Sequence, residues 1–227
     1  MNTVAAYNRC VNQDKPFYIQ PYAKSRFTWG LVAGVNNSNL KLTGYSIWDN
    51  PEGFKSTIQP QVGLFGNLSL PRLNEKLSLQ GELLVTRNKY SASFTQSGGF
   101  GRVNEYDLLF DLTYLKFPLQ LRYTFPVGRN RPFINAGVMN GYAIAVKQES
   151  VLNSTLGSTS YTETKPAIDN FRKYNQALTA GIGWQYARRH NKLLLIELRY
   201  EAANGFSNAT NTKTAINTVS VNIGYQL

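Results

Sequence analysis

From Phe27 onward, hydrophobic positions recur at every second residue. Successive side chains of a strand point to opposite faces, so this period predicts strands with one apolar and one polar face. The first run sets Phe27, Trp29, Leu31, Ala33 and Val35 against Thr28, Gly30, Val32, Gly34 and Asn36. The second, from Ile58 to Leu70, sets Val62, Leu64 and Leu68 against Gln61, Gly63, Phe65 and Asn67. The third sets Leu77, Leu79, Leu83 and Val85 against Ser78, Gln80, Glu82, Leu84 and Thr86. The fourth sets Leu115, Phe117, Leu119, Leu121 and Tyr123 against Tyr114, Lys116, Pro118, Gln120 and Arg122. Four more runs follow, centred on Ile134–Val146, Leu178–Tyr186, Leu194–Glu201 and Thr218–Leu227. Their lengths suit membrane-crossing strands, which need about 9–11 residues.

The connections alternate as regularly as the runs. Pro71–Lys76, Pro126–Arg131 and Ala187–Lys192 are short. About Thr43–Thr57, Thr95–Thr113, Lys147–Lys173 and Ala202–Asn217 are long, and read as loops. Short turns at one end and long loops at the other are the plan of outer-membrane barrels, with the short turns in the periplasm. The expected fold is therefore all-β: an eight-stranded antiparallel up-and-down transmembrane barrel over residues 27–227. Residues 1–26 read as a linker, or as the tail of a segment upstream. They contain no apolar run of signal-peptide length.

A soluble eight-stranded barrel would show the same alternation, with the apolar face inside. Composition decides between the two. The polar face carries Gly, Ser, Thr, Asn and Gln with few charges, whereas a water-facing surface would be rich in Lys and Glu. Only 16% of the chain is charged, against roughly 25% for an average soluble domain. The apolar face ends in aromatics such as Trp29, Phe125, Trp184, Tyr186, Tyr200 and Tyr225, which suits interfacial girdles. The apolar face therefore meets lipid. A transmembrane helix is excluded, because the longest charge-free stretch, about Ile134–Val146, is too short and contains Asn135 and Asn140.

Six charges fall on the inward face: Glu82, Lys116, Arg122, Glu197, Arg199 and Glu201. Three acids and three bases cancel, and a buried charge without a partner is costly. They are expected to form a structural interior network, with Glu82 paired to Lys116 or Arg122. The net charge of +11 lies elsewhere. Eleven bases in the N-terminal segment and short turns face two acids, Asp14 and Glu75, which leaves +9 at that end. Anionic headgroups of the inner leaflet are an adequate partner. A nucleic-acid site would interleave bases with stacking aromatics in one groove, and no nucleic acid is expected.

Candidate chemistry is sparse. His190, the single imidazole, stands among Arg188, Arg189 and Lys192 with no acid to orient it. Cys10 reads as a free thiol. Gly98–Gly101 lacks the Lys-Ser/Thr of a phosphate cradle. Asp107 and Asp111 read as solvated loop residues. No catalytic residue, metal ligand or cofactor is expected. The Asn-x-Ser/Thr triplets at Asn36, Asn67, Asn153 and Asn208 are expected by chance in so polar a chain.

Several segments carry a family resemblance: Gly30–Ser38, Leu79–Leu83, Tyr114–Tyr123, Arg131–Gly137 and Glu197–Tyr200. Through them the chain resembles the PorT-like outer-membrane β-barrel proteins of the Bacteroidota. The resemblance implies an outer-membrane location and fold, and a secretion-accessory role for some members. The expected function is non-enzymatic: a structural or surface-interaction barrel acting through its long loops. The alternative is a transport or secretion-accessory component. The expected partners are outer-membrane lipid and lipopolysaccharide, with a protein partner at the outer loops.

Overall fold

The period-2 segments pair edge to edge until the sheet meets itself. The computed structural model describes residues 24–43, 54–125, 128–168, 171–187, 192–206 and 213–227. They form ten strands: β1 (Phe27–Thr43), β2 (Lys55–Ser56), β3 (Gln59–Ser69), β4 (Leu77–Ser97), β5 (Val103–Thr124), β6 (Asn130–Leu156), β7 (Thr159–Lys165), β8 (Tyr174–Ala187), β9 (Leu193–Ala203) and β10 (Lys213–Gln226). Eight of them close a ring in the order β1, β3, β4, β5, β6, β8, β9, β10, with β10 returning to β1. Every pairing is antiparallel. Closure leaves no unpaired edge, which a chain in hydrocarbon requires. The two short strands attach outside the ring, β2 to β4 and β7 to β6.

The faces fall as the alternation predicts. On β4, Glu82 and Leu84 are buried at 7% and 1% exposure, while Leu83 between them stands out at 39%. Leu31, Leu64, Leu119, Ile196 and Val221 likewise point outward from five other strands. Two glycines show how tightly neighbouring walls approach. A Cβ on Gly137 would stand 2.0 Å from the Leu119 carbonyl oxygen, and one on Gly181 would stand 3.0 Å from a Glu197 carboxylate oxygen.

Proline interrupts one ladder. The β4–β5 register runs to Gly81↔Leu119 and resumes at Leu84↔Lys116. Pro118 lies in the gap, opposite Glu82. It has no N–H to donate, so a break there has a covalent cause.

The expected long loops at Thr95–Thr113 and Lys147–Lys173 are mostly strand. β4 and β5 continue as a paired hairpin to Ser97↔Val103, closed by a short turn at Gly99–Gly101. β6 continues to Leu156 and turns back as β7. From Arg87 to Ser97, β4 therefore runs on for roughly 33 Å along its own axis. Beyond the lipid-facing positions the pattern inverts. On β4 the outward residues become Arg87, Lys89, Ser91 and Ser93, and the inward ones Tyr90, Ala92 and Phe94. Water then lies outside, and an apolar cluster fills the inside. Leu40, Tyr90, Phe110, Leu112, Tyr114 and Phe206 are all buried there. Phe110 packs between Phe54, edge-on at 5.7 Å between ring centroids, and Phe206, tilted at 5.4 Å.

Two outcomes are expected. The unboiled protein runs faster on a gel than the boiled protein, because the closed barrel resists detergent. Leu83→Arg lowers stability in vesicles by about 2–4 kcal/mol, as for a base near the bilayer midplane. Thr95→Arg, outward on the same strand but beyond the lipid, shifts it by no more than about 0.5 kcal/mol. Denaturant unfolding of both variants measures the difference.

Candidate functional site: a charge network across the lumen

The structure places each of the six inward charges in a buried ion pair, in two groups: Lys116 with Glu201, and Glu82, Arg122, Glu197 and Arg199 together. Glu82 comes from β4, Lys116 and Arg122 from β5, and Glu197, Arg199 and Glu201 from β9. In a ring of this order β9 stands directly opposite β4. Arg199 spans the lumen and donates two parallel hydrogen bonds to Glu82, at 2.7 and 2.6 Å. Its Nε donates to Glu197 at 2.6 Å. The second Glu197 oxygen accepts from Arg122 at 3.1 Å. Lys116 Nζ pairs with Glu201 at 2.6 Å. Gln80 donates a further hydrogen bond to Glu82. The Arg122 guanidinium lies over the Phe133 ring, 3.8 Å from its centroid.

Glu82 thus pairs with Arg199, and not with Lys116 or Arg122 as the sequence suggested. Sequence proximity favours the wall next door. The lumen is narrow enough for the opposite wall to compete, and the fork of an arginine matches a carboxylate in two places at once. Lys116 is turned toward Glu201 instead. A small apolar group, Val32, Phe65, Leu84, Phe133 and Leu195, packs beside the charges. Arrangements of this kind hold walls together, and the lower local dielectric makes each member depend on the others.

Asp107 and Asp111 are strand residues rather than loop residues. Asp111 accepts two hydrogen bonds from Arg87, at 2.8 and 2.5 Å. Asp107 accepts from Ser93 at 2.6 Å. Both lie on the hairpin, above the lipid-facing positions. The hydrogen bonds from Arg87 hold the Asp111 carboxyl below the usual carboxylate range. Of the Asn triplets, Asn36 is buried in the lumen, Asn67 donates to Ser78 at 3.0 Å, and Asn153 accepts from Thr162 at 2.8 Å. Cys10, His190, Arg188, Arg189 and Asn208 lie outside the described residues.

The sequence reading missed a cavity at the short-turn end. It opens into the barrel mouth and measures about 740 Å³. Arg26, Lys76, Arg131 and Lys192 line it together with one acid, Glu75. Their clustering was legible as turn-end charge. Their convergence on one opening depends on ring closure, which no local pattern states.

Removing one member of a buried pair leaves its partner uncompensated, at about 3–5 kcal/mol. Glu82→Ala alone is expected to cost that much. The double change Glu82→Gln, Arg199→Gln is expected to cost less per site, and equilibrium unfolding in vesicles compares them. A second expectation concerns acid. The folded carboxyl of Asp111 titrates below its unfolded value, so its contribution is complete above about pH 4 and is lost as pH falls through the folded value. The protection of amides across Arg87–Asp111, taken relative to the intrinsic exchange rate at each pH, should fall on that descent, and an Asp111→Asn variant should show no such step.

No curated protein sequence matches the chain. Among solved structures, the outer membrane protein OprG from Pseudomonas aeruginosa is 17% identical, with 90% of this chain and 95% of that one covered and a TM-score of 0.47. Ail, the attachment invasion locus protein of Yersinia pestis, is 14% identical over 88% of this chain and 98% of that one, with a TM-score of 0.37. Neisserial surface protein A is 13% identical over 88% and 99%, with a TM-score of 0.36. The family described as outer membrane protein beta-barrel domain matches residues 12–211. That match takes in most of the chain, which therefore belongs to the outer membrane protein beta-barrel domain family and resides in the outer membrane.

Proposed function

We propose that the protein is a non-enzymatic barrel that presents a contact surface outside the cell. The observation that carries this reading is the pair of hairpins, β4–β5 and β6–β7, standing beyond the lipid-facing positions. At the tip of the first, Phe100 is fully exposed, with φ at 60°. Tyr161 and Leu156 are exposed near the tip of the second. An aromatic ring held in water on a paired hairpin is suited to docking against a partner, because little of it must be ordered on binding. The proposed partner there is a protein, with lipopolysaccharide and other outer-membrane lipid around the wall and no nucleic acid.

The lumen supports the same reading. The charge network spans it, and the cluster around Phe110 fills its hairpin end. The buried acids and bases are engaged with one another, which leaves them no spare capacity as acid–base catalysts. Within the family, the segments Tyr114–Tyr123 and Glu197–Tyr200 support a PorT-like barrel of the Bacteroidota. A secretion-accessory role remains the second reading, favoured by the cationic mouth at the other end.

Two measurements test the proposal. In a planar bilayer the purified barrel is expected to give no conductance steps, and steady steps would favour a pore. Cells displaying the Phe100→Asp, Tyr161→Asp variant are expected to adhere several-fold less than cells displaying the parent, with the unboiled gel mobility unchanged. Equal adherence would refute a surface-contact role for the hairpins.

A further inference from the structure

We propose that the mouth at the short-turn end is a binding site for an acidic peptide segment of a periplasmic protein. In an outer-membrane barrel the short turns face the periplasm, so this opening is presented to that compartment. The site is at the opposite end from the hairpins and does not depend on their role.

The cavity, about 740 Å³, falls in the range of roughly 300–1,000 Å³ usual for ligand sites. Four bases line it against one acid. Arg131 enters from β6 beside Gln185 of β8, and its Nε is buried without a hydrogen-bond partner. Lys76 and Lys192 sit at the rim, their stems lining it while their ammonium groups lie 5.9 and 5.8 Å from the ring centroids of the outward-facing Tyr123 and Tyr225. None of the four bases belongs to an ion pair among the described residues. Contrast the lumen above, where each base has its acid. Arg131, with its Nε buried and unpartnered, is the base an incoming anion would satisfy first.

The rest of the lining specifies what kind of anion. Asn67, Ser69, Ser78, Thr124 and Gln185 offer amides and hydroxyls to a hydrogen-bonding chain. A peptide supplies carboxylates for the bases and backbone groups for these. A glycan commonly stacks on aromatic rings, and the lining contains none. Convergent positive charge also draws an acidic segment in from solution, and that attraction weakens with salt.

The test uses the full chain folded in nanodiscs of neutral phosphatidylcholine. The probe is a fluorescein-labelled decapeptide of Glu, Ser and Gly, followed by anisotropy, with a Gln-for-Glu peptide as control. The acidic peptide is expected to bind and the control not to bind. Arg131→Gln is expected to weaken binding roughly tenfold, as for loss of one charge-assisted hydrogen bond. Raising salt should weaken it further. The double variant Arg26→Gln, Lys192→Gln carries the same expectation, and serves if Arg131→Gln does not fold by the gel-mobility criterion. The proposal is overturned if the acidic peptide fails to bind, if the control binds equally, or if a folded variant binds like the parent. Displacement of the peptide by phosphatidylglycerol or by a soluble muropeptide at lower concentration would overturn it in favour of a lipid or a glycan.

Discussion

An eight-stranded ring leaves an interior just wide enough for its own side chains, and the rest of this structure follows from filling it. Each inward residue must find volume and, if polar, a partner. Glycines at Gly137 and Gly181 supply the volume where walls or carboxylates come closest. Three acids and three bases supply one another. The longest reach, Arg199 to Glu82, joins walls on opposite sides of the ring, so the sheet is tied across its diameter as well as round its circumference. Glu82 does this from the gap in the ladder opposite Pro118.

Once the lumen is filled, the two ends become different in kind. Toward the hairpins the interior turns apolar, and Phe110 with its neighbours forms a lid. Toward the short turns it stays polar and opens into a cup rimmed by bases. The middle of the barrel is bridged by ion pairs. The barrel's chemistry is then to be sought at the tips of the hairpins and in the mouth.

Much of this was legible beforehand. The face of each strand was readable because the period is two, and a residue one place off would sit in lipid. Membership of the charge network was readable for the same reason: Glu82, Lys116, Arg122, Glu197, Arg199 and Glu201 all have inward parity. Who pairs with whom was not. Contacts across a lumen depend on strand tilt and stagger, properties of the closed ring and not of any segment. The hairpins were misread for another reason. Their alternation persists in Tyr90, Ala92 and Phe94, but with opposite parity to Leu83 and Val85, so the apolar series looked finished.

That change of parity locates the boundary between two solvents. On β1 the apolar positions move from outward Val35 to inward Leu40, and on β10 from outward Val221 and Val219 to inward Ile216. These are neighbours in register, Val35 beside Val221 and Leu40 beside Ile216, so both strands switch at one height. β4 switches between Val85 and Tyr90. β5 switches between Leu115 and Leu112, and the register pairs Val85 with Leu115 and Tyr90 with Phe110. Below that line hydrocarbon covers the wall, and the core must be polar enough to pair its own charges. Above it water covers the wall, and the core must be apolar enough to hold the sheet by burial. One sheet therefore continues through the membrane surface by exchanging its faces. The ion pair between Arg87 and Asp111 lies on the outer wall just past that line, on the first outward positions that meet water.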